Sequence, residues 1–113
     1  MPKNFKPDCI FCQIAHHQLE SKVIDENKNF IAFYDINPIS KGHTLVIPKR
    51  HVDDFNHLTQ QEETFIKDYL IFIKQIKNTL MKQYHPSGIK ILFNTHKLIE
   101  VWHLHAHLIP VYD

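Results

Sequence analysis

The sequence predicts an α+β fold, with an antiparallel sheet of about five strands, one long helix and a short N-terminal helix. Two observations predict it: strand-like runs that follow one another through short joints, and one long run of helical periodicity. Short joints favour antiparallel pairing, and the long helix is expected to cover one face of the sheet. A length of 113 residues predicts one domain over residues 1–113, because two hydrophobic cores do not fit in such a chain.

The composition argues against several classes of protein. The chain is 43% hydrophobic and 22% charged, which is typical of a globular domain, and its formal net charge is only +1. This balance gives no reason to expect a nucleic-acid or membrane partner. No apolar run approaches the ~20 residues that cross a bilayer, and the first residues lack the apolar core of a secretory signal. Two cysteines do not make a disulfide framework, so the expected location is the cytoplasm.

The first half of the chain reads as a short helix followed by three strands. Residues 9–17 predict one or two helical turns, and residues 22–25 and 29–34 predict a hairpin. The segment 35–38 ends the second strand because Pro38 lacks a backbone donor. Residues 43–47 then predict a third strand, which ends before a proline.

The long helix is predicted from about Thr59 to Tyr84. Thr59 and Glu62 have capping-box spacing, and a broad apolar stripe follows at helical intervals. A helix of this length spans roughly 37 Å, which exceeds the width of a small sheet. Part of its apolar surface is therefore expected either to meet a second subunit or to remain exposed to solvent. Residues 89–94 and 101–111 predict the last two strands.

Histidines alternate with apolar residues near the C-terminus, at positions 103, 105 and 107. On a strand, all three imidazoles point to one face. One interpretation is a solvated face. A second is a metal site, but His103 and His107 lie about 13 Å apart along a strand, so only adjacent histidines can share an ion. A third is catalysis, because a neutral imidazole is a good nucleophile near pH 7.

The run from His103 to Ile109 resembles the signature of the histidine triad family, three histidines separated by apolar residues. Three further segments resemble the family in order and spacing, so that the similarity covers about residues 9–110: Cys9–Ile14, Phe33–Pro38 and Gly42–His51. The resemblance implies a nucleotide hydrolase or nucleotidyl transferase. The substrate implied is a nucleoside phosphoramidate or related nucleotide, cleaved at its α-phosphorus.

The resemblance also implies roles for individual residues. His105 matches the nucleophile that forms a nucleotidyl-histidine, and His107 matches the histidine that contacts the transferring phosphate and the leaving group. Asn94 matches a phosphate ligand, and Asp35 matches the carboxylate that accepts hydrogen bonds from both ribose hydroxyls. Without the resemblance, Asp35 reads as a turn residue, and the residues matching the base pocket read as plain core: Ile10, Phe11, Ile14, Phe33 and Ile36.

Cys9 and Cys12 form a Cys-x-x-Cys pair, which is either half of a metal site or a redox pair. No βαβ pattern surrounds it, which weakens the redox interpretation. The resemblance adds His51 and His103, and so implies a closed structural zinc site of two cysteines and two histidines. The alternative is a pair of reduced, buried cysteines with no metal. The resemblance further implies a homodimer.

The sequence departs from the family just before the triad. Relatives usually carry Gly-Gln in this loop, whereas residues 96–100 contain no glycine, and Glu100 stands where relatives often have a small hydroxyl residue. A carboxylate there is expected either to repel an anionic substrate at short range, to face a cationic leaving group, or to point into solvent. The alternative function is therefore a nucleotide-binding or regulatory module with little turnover. Most remaining histidines are expected to be solvated: His16, His17, His43, His57, His85 and His96.

Overall fold

The computed structural model describes residues 5–113, and its central feature is a five-stranded antiparallel sheet. The strands are β1 (Val23–Glu26), β2 (Phe30–Tyr34), β3 (Thr44–Pro48), β4 (Gly88–Leu92) and β5 (Ala106–Val111), in the order β1-β2-β3-β5-β4. Two α-helices accompany them, α1 (Ile10–Ala15) and α2 (Glu63–Tyr84). The predicted fold class is confirmed. Neither helix is both long enough and apolar enough to cross a bilayer within residues 5–113.

The predicted hairpin is present, with strand bounds shifted by about one residue. The Asn27 side chain makes its turn by accepting hydrogen bonds from the backbone N–H groups of Asn29 and Phe30, both at 2.9 Å. β2 then pairs antiparallel with β3, with Phe33 opposite Leu45.

Each face of the sheet has its own apolar core because successive strand side chains point to opposite sides. One face packs against the buried side of α2, formed by Tyr69, Phe72, Ile73, Ile76 and Leu80. The other face packs against α1, through Ile31, Phe33, Leu45 and Ile47 of the sheet. This second face, referred to below as the α1 face, also receives the last two histidines of the triad.

The long helix begins and ends close to the predicted bounds. Its first turn, Gln60–Glu62, is a 3₁₀ turn, and the α-helix itself starts at Glu63. The predicted capping box is present, and the Thr59 N–H donates to the Glu62 carboxylate at 3.0 Å. At the other end His85 takes a left-handed conformation and its N–H bonds the Met81 carbonyl, which closes the helix.

The last two strands are shorter than predicted. β4 covers 88–92 instead of 89–94, and β5 begins at Ala106 instead of Val101. Residues 101–105 leave the ladder because their polar groups find other partners. The Leu104 N–H donates to the Val52 carbonyl at 2.7 Å, and the Pro48 carbonyl at the end of β3 bonds the ring of His103. Because β5 does not extend to the residues before Ala106, residues 93 and 94 have no strand to pair with and also lie outside the sheet.

Candidate functional site

The three triad histidines alternate with core residues even though His103 and His105 precede the strand. Leu104 and Ala106 are buried in the core beneath α2. His103 is fully buried, while His105 and His107 are half-buried on the α1 face. The chain therefore directs the imidazoles to one side of the sheet, as the alternation predicts.

His103 belongs to a cluster with Cys9, Cys12 and His51, whose four donor atoms lie within 4.8 Å of one another. Cys9 is the N-cap of α1, and its sulfur accepts the Cys12 N–H, so the helix start fixes both thiols. The Nδ1 atom of His103 lies 3.3 Å from the Cys9 sulfur and 3.5 Å from the Cys12 sulfur. The Nδ1 atom of His51 lies 3.4 Å from the Cys12 sulfur.

Both histidines of this cluster have their outer nitrogens bound to acceptors. His103 Nε2 lies 2.8 Å from the Pro48 carbonyl, and His51 Nε2 lies 2.6 Å from the Asp53 carboxylate. A carbonyl only accepts, so His103 Nε2 carries the proton and its Nδ1 lone pair faces the sulfurs. The Asp53 carboxylate orients His51 in the same way. Histidines that ligate a metal usually donate their other ring N–H to an acceptor of this kind.

The cluster can hold a tetrahedral metal ion. Bonds of ~2.1–2.3 Å in a tetrahedron place neighbouring donors about 3.5–3.8 Å apart, close to the nitrogen–sulfur distances found here. Burial raises the pKa of the Cys12 thiol to about 11, with the neighbouring Cys9 contributing. Burial also lowers the pKa of His103 to about 4, so its imidazole is neutral as a ligand must be. His107 is not part of this cluster, so the triad is not one metal site.

His105 is held with one ring nitrogen free. Its Nδ1 lies 2.7 Å from the His103 carbonyl and must donate to it, which leaves the lone pair on Nε2. The Phe11 ring contacts the imidazole edge to face, with 5.2 Å between centroids. Burial lowers the pKa of His105, against the opposing effects of the carbonyl and the charges of Asp35 and Glu100. His105 therefore presents a neutral nucleophilic nitrogen.

His107 is oriented by His43, which in turn is oriented by the backbone. The Ile39 N–H donates to His43 Nδ1 at 3.0 Å, so the His43 proton is on Nε2. That Nε2–H donates to His107 Nδ1 at 2.9 Å, which places the His107 proton on its own Nε2. Burial lowers the pKa of both rings, that of His107 to about 4, with His105 and His43 also contributing there. A lone pair on His105 and an N–H on His107 thus stand on neighbouring rings.

The expectation that His43 is solvated is wrong, since its side chain is only 2% exposed. The sequence contained a signal for its position. His43 alternates with Leu45, which lies on the α1 face and is paired with His107 across β3 and β5. A histidine two residues from a buried leucine therefore points to the triad side of the sheet.

Asp35 lies at the edge of the histidine group. One carboxylate oxygen is 3.5 Å from His43 Nε2, and the other accepts the Asn37 N–H at 2.9 Å. Asp35, His43 and His107 have donor atoms within 4.8 Å of one another. The 2.9 Å contact between the two imidazoles fits a hydrogen bond rather than two ligands of one ion.

The residues predicted to form the base pocket are divided between core and surface. Phe11, Ile14 and Phe33 are buried between α1 and the sheet. Ile10 is 45% exposed and Ile36 is 86% exposed, and Ile36 lines a surface cavity of about 870 Å³. The structure therefore brings the first three together in the core, and leaves the other two open to a ligand.

The loop before the triad lies against the nucleophilic ring. Asn94 and Ile99 line a narrow pocket together with His105. His96 takes a positive φ of 55°, and Glu100 is exposed, yet its charge is felt at His105. The loop thus adds one predicted phosphate ligand, Asn94, and one carboxylate to the surroundings of the same ring.

Known proteins resemble this chain over most of its length. A profile of the HIT domain family matches residues 16–113. An uncharacterized HIT-like protein of Mycoplasma genitalium is 38% identical, over all of this chain and 79% of that protein. The crystal structure of a hypothetical histidine triad nucleotide-binding protein of Sulfolobus tokodaii has a TM-score of 0.86 at 30% identity, over 93% of this chain and 70% of that one. The crystal structure of a HIT family hydrolase of Legionella pneumophila has a TM-score of 0.84 at 30% identity, over 94% of this chain and 95% of that one.

Titration of two histidines tests the arrangement of the site. The Asp54 carboxylate raises the pKa of His57 above its usual 6.5, whereas burial lowers that of His107 to about 4. NMR at pH 6 should show a protonated His57 and a neutral His107. Because the unfolded chain protonates His107 near pH 6.5, the free energy of unfolding should fall as the pH drops from there toward 4. A His107 ring that titrates at or above pH 6.5 would contradict the buried arrangement.

Proposed function

The chain belongs to the HIT domain family, and we propose that it is a hydrolase or nucleotidyl transferase that cleaves nucleoside phosphoramidates or related nucleotides at the α-phosphorus. One observation carries the proposal: His105, with a free Nε2 lone pair, and His107, with an Nε2–H, are neighbouring rings with 5.0 Å between their centroids. A nucleophile next to a hydrogen-bond donor suits attack on an anionic phosphorus centre. Relatives described as a hydrolase and as a nucleotide-binding protein support this class of function.

The proposed reaction has two displacements at phosphorus. His105 Nε2 forms a bond to the α-phosphorus while the phosphorus–nitrogen bond breaks, and the departing nitrogen takes a proton from solvent. Water then attacks the same phosphorus and loses a proton to solvent, the bond to Nε2 breaks, and a nucleoside monophosphate and a neutral His105 result. Two smaller barriers replace one large barrier, which is the general benefit of covalent catalysis.

The other site residues have supporting roles in this proposal. The His107 Nε2–H and Asn94 bind phosphate oxygens, and hydrogen bonds to an anion are stronger than those between neutral groups. His43 is a positioning residue, since its own proton fixes which nitrogen of His107 donates. The Asp35 carboxylate accepts hydrogen bonds from the ribose hydroxyls. The exposed Ile36 side chain contacts the base at the mouth of the cavity.

A nucleotide-binding module with little turnover is the second candidate. It is favoured by one observation, the negative charge of Glu100, which acts on His105 and partly opposes the burial that lowers the pKa of that ring. A carboxylate there opposes the approach of a phosphate anion and so disfavours the transition state. This candidate predicts nucleotide binding without release of an amine.

Single-turnover kinetics with an adenosine phosphoramidate of an aromatic amine distinguishes the two candidates. We expect a burst of amine together with an AMP-sized adduct in the intact mass. His105→Ala should lose both, with a rate at least about a thousandfold lower, because the attacking nitrogen is gone.

His85→Asn is the matched control, because it replaces an exposed histidine at the end of α2 with a residue that tolerates its left-handed backbone. It should keep the burst. Binding of AMP without any amine release by the wild type would favour the binding module. Full activity in His105→Ala would remove His105 from the mechanism.

We further propose that the cluster of Cys9, Cys12, His51 and His103 holds a structural zinc ion. The support is the donor set, its spacing and the acceptors behind both histidines. Zinc bound there stabilises the fold, and the ligands themselves join α1, the segment after β3 and His103, two residues before the proposed nucleophile. No step of the proposed reaction uses the metal.

Elemental analysis of protein purified without chelators should find one zinc per chain. Cys12→Ser should lower the zinc content toward zero and also lower Tm, because metal binding stabilises the folded state. His17→Asn changes an exposed histidine outside the cluster and should leave both values unchanged. Wild-type protein with no zinc would overturn the proposal.

We also propose that the chain forms a homodimer, and two features support this. Leu70 and Ile71 of α2 are 54% and 44% exposed, and they lie beside half-buried Ile66 on an apolar surface. β4 is an edge strand, and its Ile91 is 47% exposed. Exposed apolar clusters and open strand edges are typical of subunit contacts.

Light scattering at micromolar concentration should give the mass of two chains. Leu70→Glu should shift the protein toward monomer, because a carboxylate resists burial in an apolar contact. Leu19→Glu, which changes an exposed leucine outside α2, should remain dimeric. A monomeric wild type would contradict the dimer.

A further inference from the structure

A surface cavity begins where the proposed nucleotide site ends. Its volume is about 870 Å³, and both Asp35 and His43 line it. Since His43 contacts His107, this cavity adjoins the histidine group at one end. It is also lined by Tyr34 and Tyr84, the last residues of β2 and α2, and by two lysines, Lys22 and Lys41. These four residues are called the far side of the cavity below.

The far side of the cavity presents hydrogen-bond donors. The hydroxyls of Tyr34 and Tyr84 are 2.9 Å apart and share one hydrogen bond, so one phenolic proton remains for another acceptor. The Tyr84 hydroxyl donates this bond, so the remaining proton is that of Tyr34, whose hydroxyl is also contacted by the Gln83 side chain. Lys41 Nζ lies 5.9 Å from the centre of the Tyr84 ring. The Lys22 carbonyl accepts the Tyr34 N–H at 3.1 Å, which places Lys22 beside the same tyrosine pair.

The backbone that carries Lys41 is fixed rather than free. The Tyr112 hydroxyl donates to the Lys41 carbonyl at 2.6 Å. Next in the chain, Gly42 has a φ of +90°, and a Cβ there would meet the Tyr84 ring at 3.0 Å. This close approach holds the turn against the end of α2. The backbone from which the Lys41 side chain extends therefore has a defined position.

The geometry of a nucleotide connects this donor group to the proposed site. The 5′-phosphate and the 2′,3′-hydroxyls lie at opposite ends of a ribose. With the α-phosphorus at His105 and the hydroxyls at Asp35, a substituent on either hydroxyl extends away from the histidines and into the cavity. Two ammonium groups and a phenolic proton suit an anionic substituent, and the carboxylates of Glu20 and Asp35 in the same cavity oppose it.

We propose that the cavity binds a phosphate group on the 2′- or 3′-oxygen of the ribose, while Asp35 accepts a hydrogen bond from the remaining hydroxyl. The substrate class is then a nucleotide phosphorylated at both ends of its ribose. This inference rests on the proposed function, because it requires a nucleotide with its ribose at Asp35. Lys22, Lys41 and the tyrosine pair are the residues that recognise the second phosphate.

Calorimetric titration of wild-type protein with three nucleotides tests the inference. The probes are AMP, adenosine 3′,5′-bisphosphate and adenosine 2′,5′-bisphosphate. We expect at least one bisphosphate to bind about fivefold tighter than AMP, since the contacts are partly exposed ion pairs. The comparison of the two bisphosphates identifies which oxygen carries the phosphate. The advantage should shrink as salt increases from 0.05 to 0.5 M, because salt screens such pairs.

Charge variants assign the effect to the cavity. The double variant Lys22→Gln/Lys41→Gln should bind the preferred bisphosphate and AMP with about equal affinity. Glu20→Gln should increase the ratio of the two affinities. Lys28→Gln with Lys82→Gln makes the same change in net charge at exposed positions outside both the cavity and the proposed dimer surface, and should keep the ratio.

The outcomes separate this inference from the function beneath it. Binding of AMP with no gain for either bisphosphate overturns the second phosphate site and leaves the proposed function standing. A gain that survives the cavity variants also overturns the site, because other residues then hold the phosphate. Failure of all three nucleotides to bind overturns both the proposed function and this inference.

Discussion

The placement of His103 is the constraint on which the rest of the site depends. Its ring joins three parts of the chain, because Nδ1 faces the thiols of α1 and Nε2 donates to the carbonyl at the end of β3. Its own carbonyl then fixes the ring of His105 two residues later. Moving this one residue would therefore disturb the N-terminal helix, the end of the central strand and the orientation of the proposed nucleophile together.

Backbone groups, not carboxylates, decide where the protons of the site lie. The His103 carbonyl sets the tautomer of His105, and the Ile39 N–H sets that of His43 and, through it, of His107. Backbone dipoles keep their character at any pH, so the pairing of a lone pair with an N–H does not depend on a neighbouring group changing charge. The site is built to hold neutral imidazoles, in agreement with the lowered pKa values of the three rings.

The sequence predicted most of the framework, because the signals for it are local. Capping by Thr59, the turn at Asn27 and the alternation around the triad all act within a few residues. What the sequence missed depends on distant partners. Residues 101–105 have the pattern of a strand, but no strand lies beside them. The Leu104 N–H and the His103 ring instead bond the carbonyls of Val52 and Pro48. His43 was misjudged for the same reason, since its partner is 64 residues away.

The position of residues 96–100 outside the sheet has a consequence for how such a protein can diversify. This loop precedes the triad and carries none of the ladder that supports the two cores. Its length and chemistry can therefore drift while the fold remains intact. The absence of glycine from residues 96–100 is compatible with that freedom. Exchanging this loop changes what surrounds the His105 ring without rebuilding the scaffold that positions the ring.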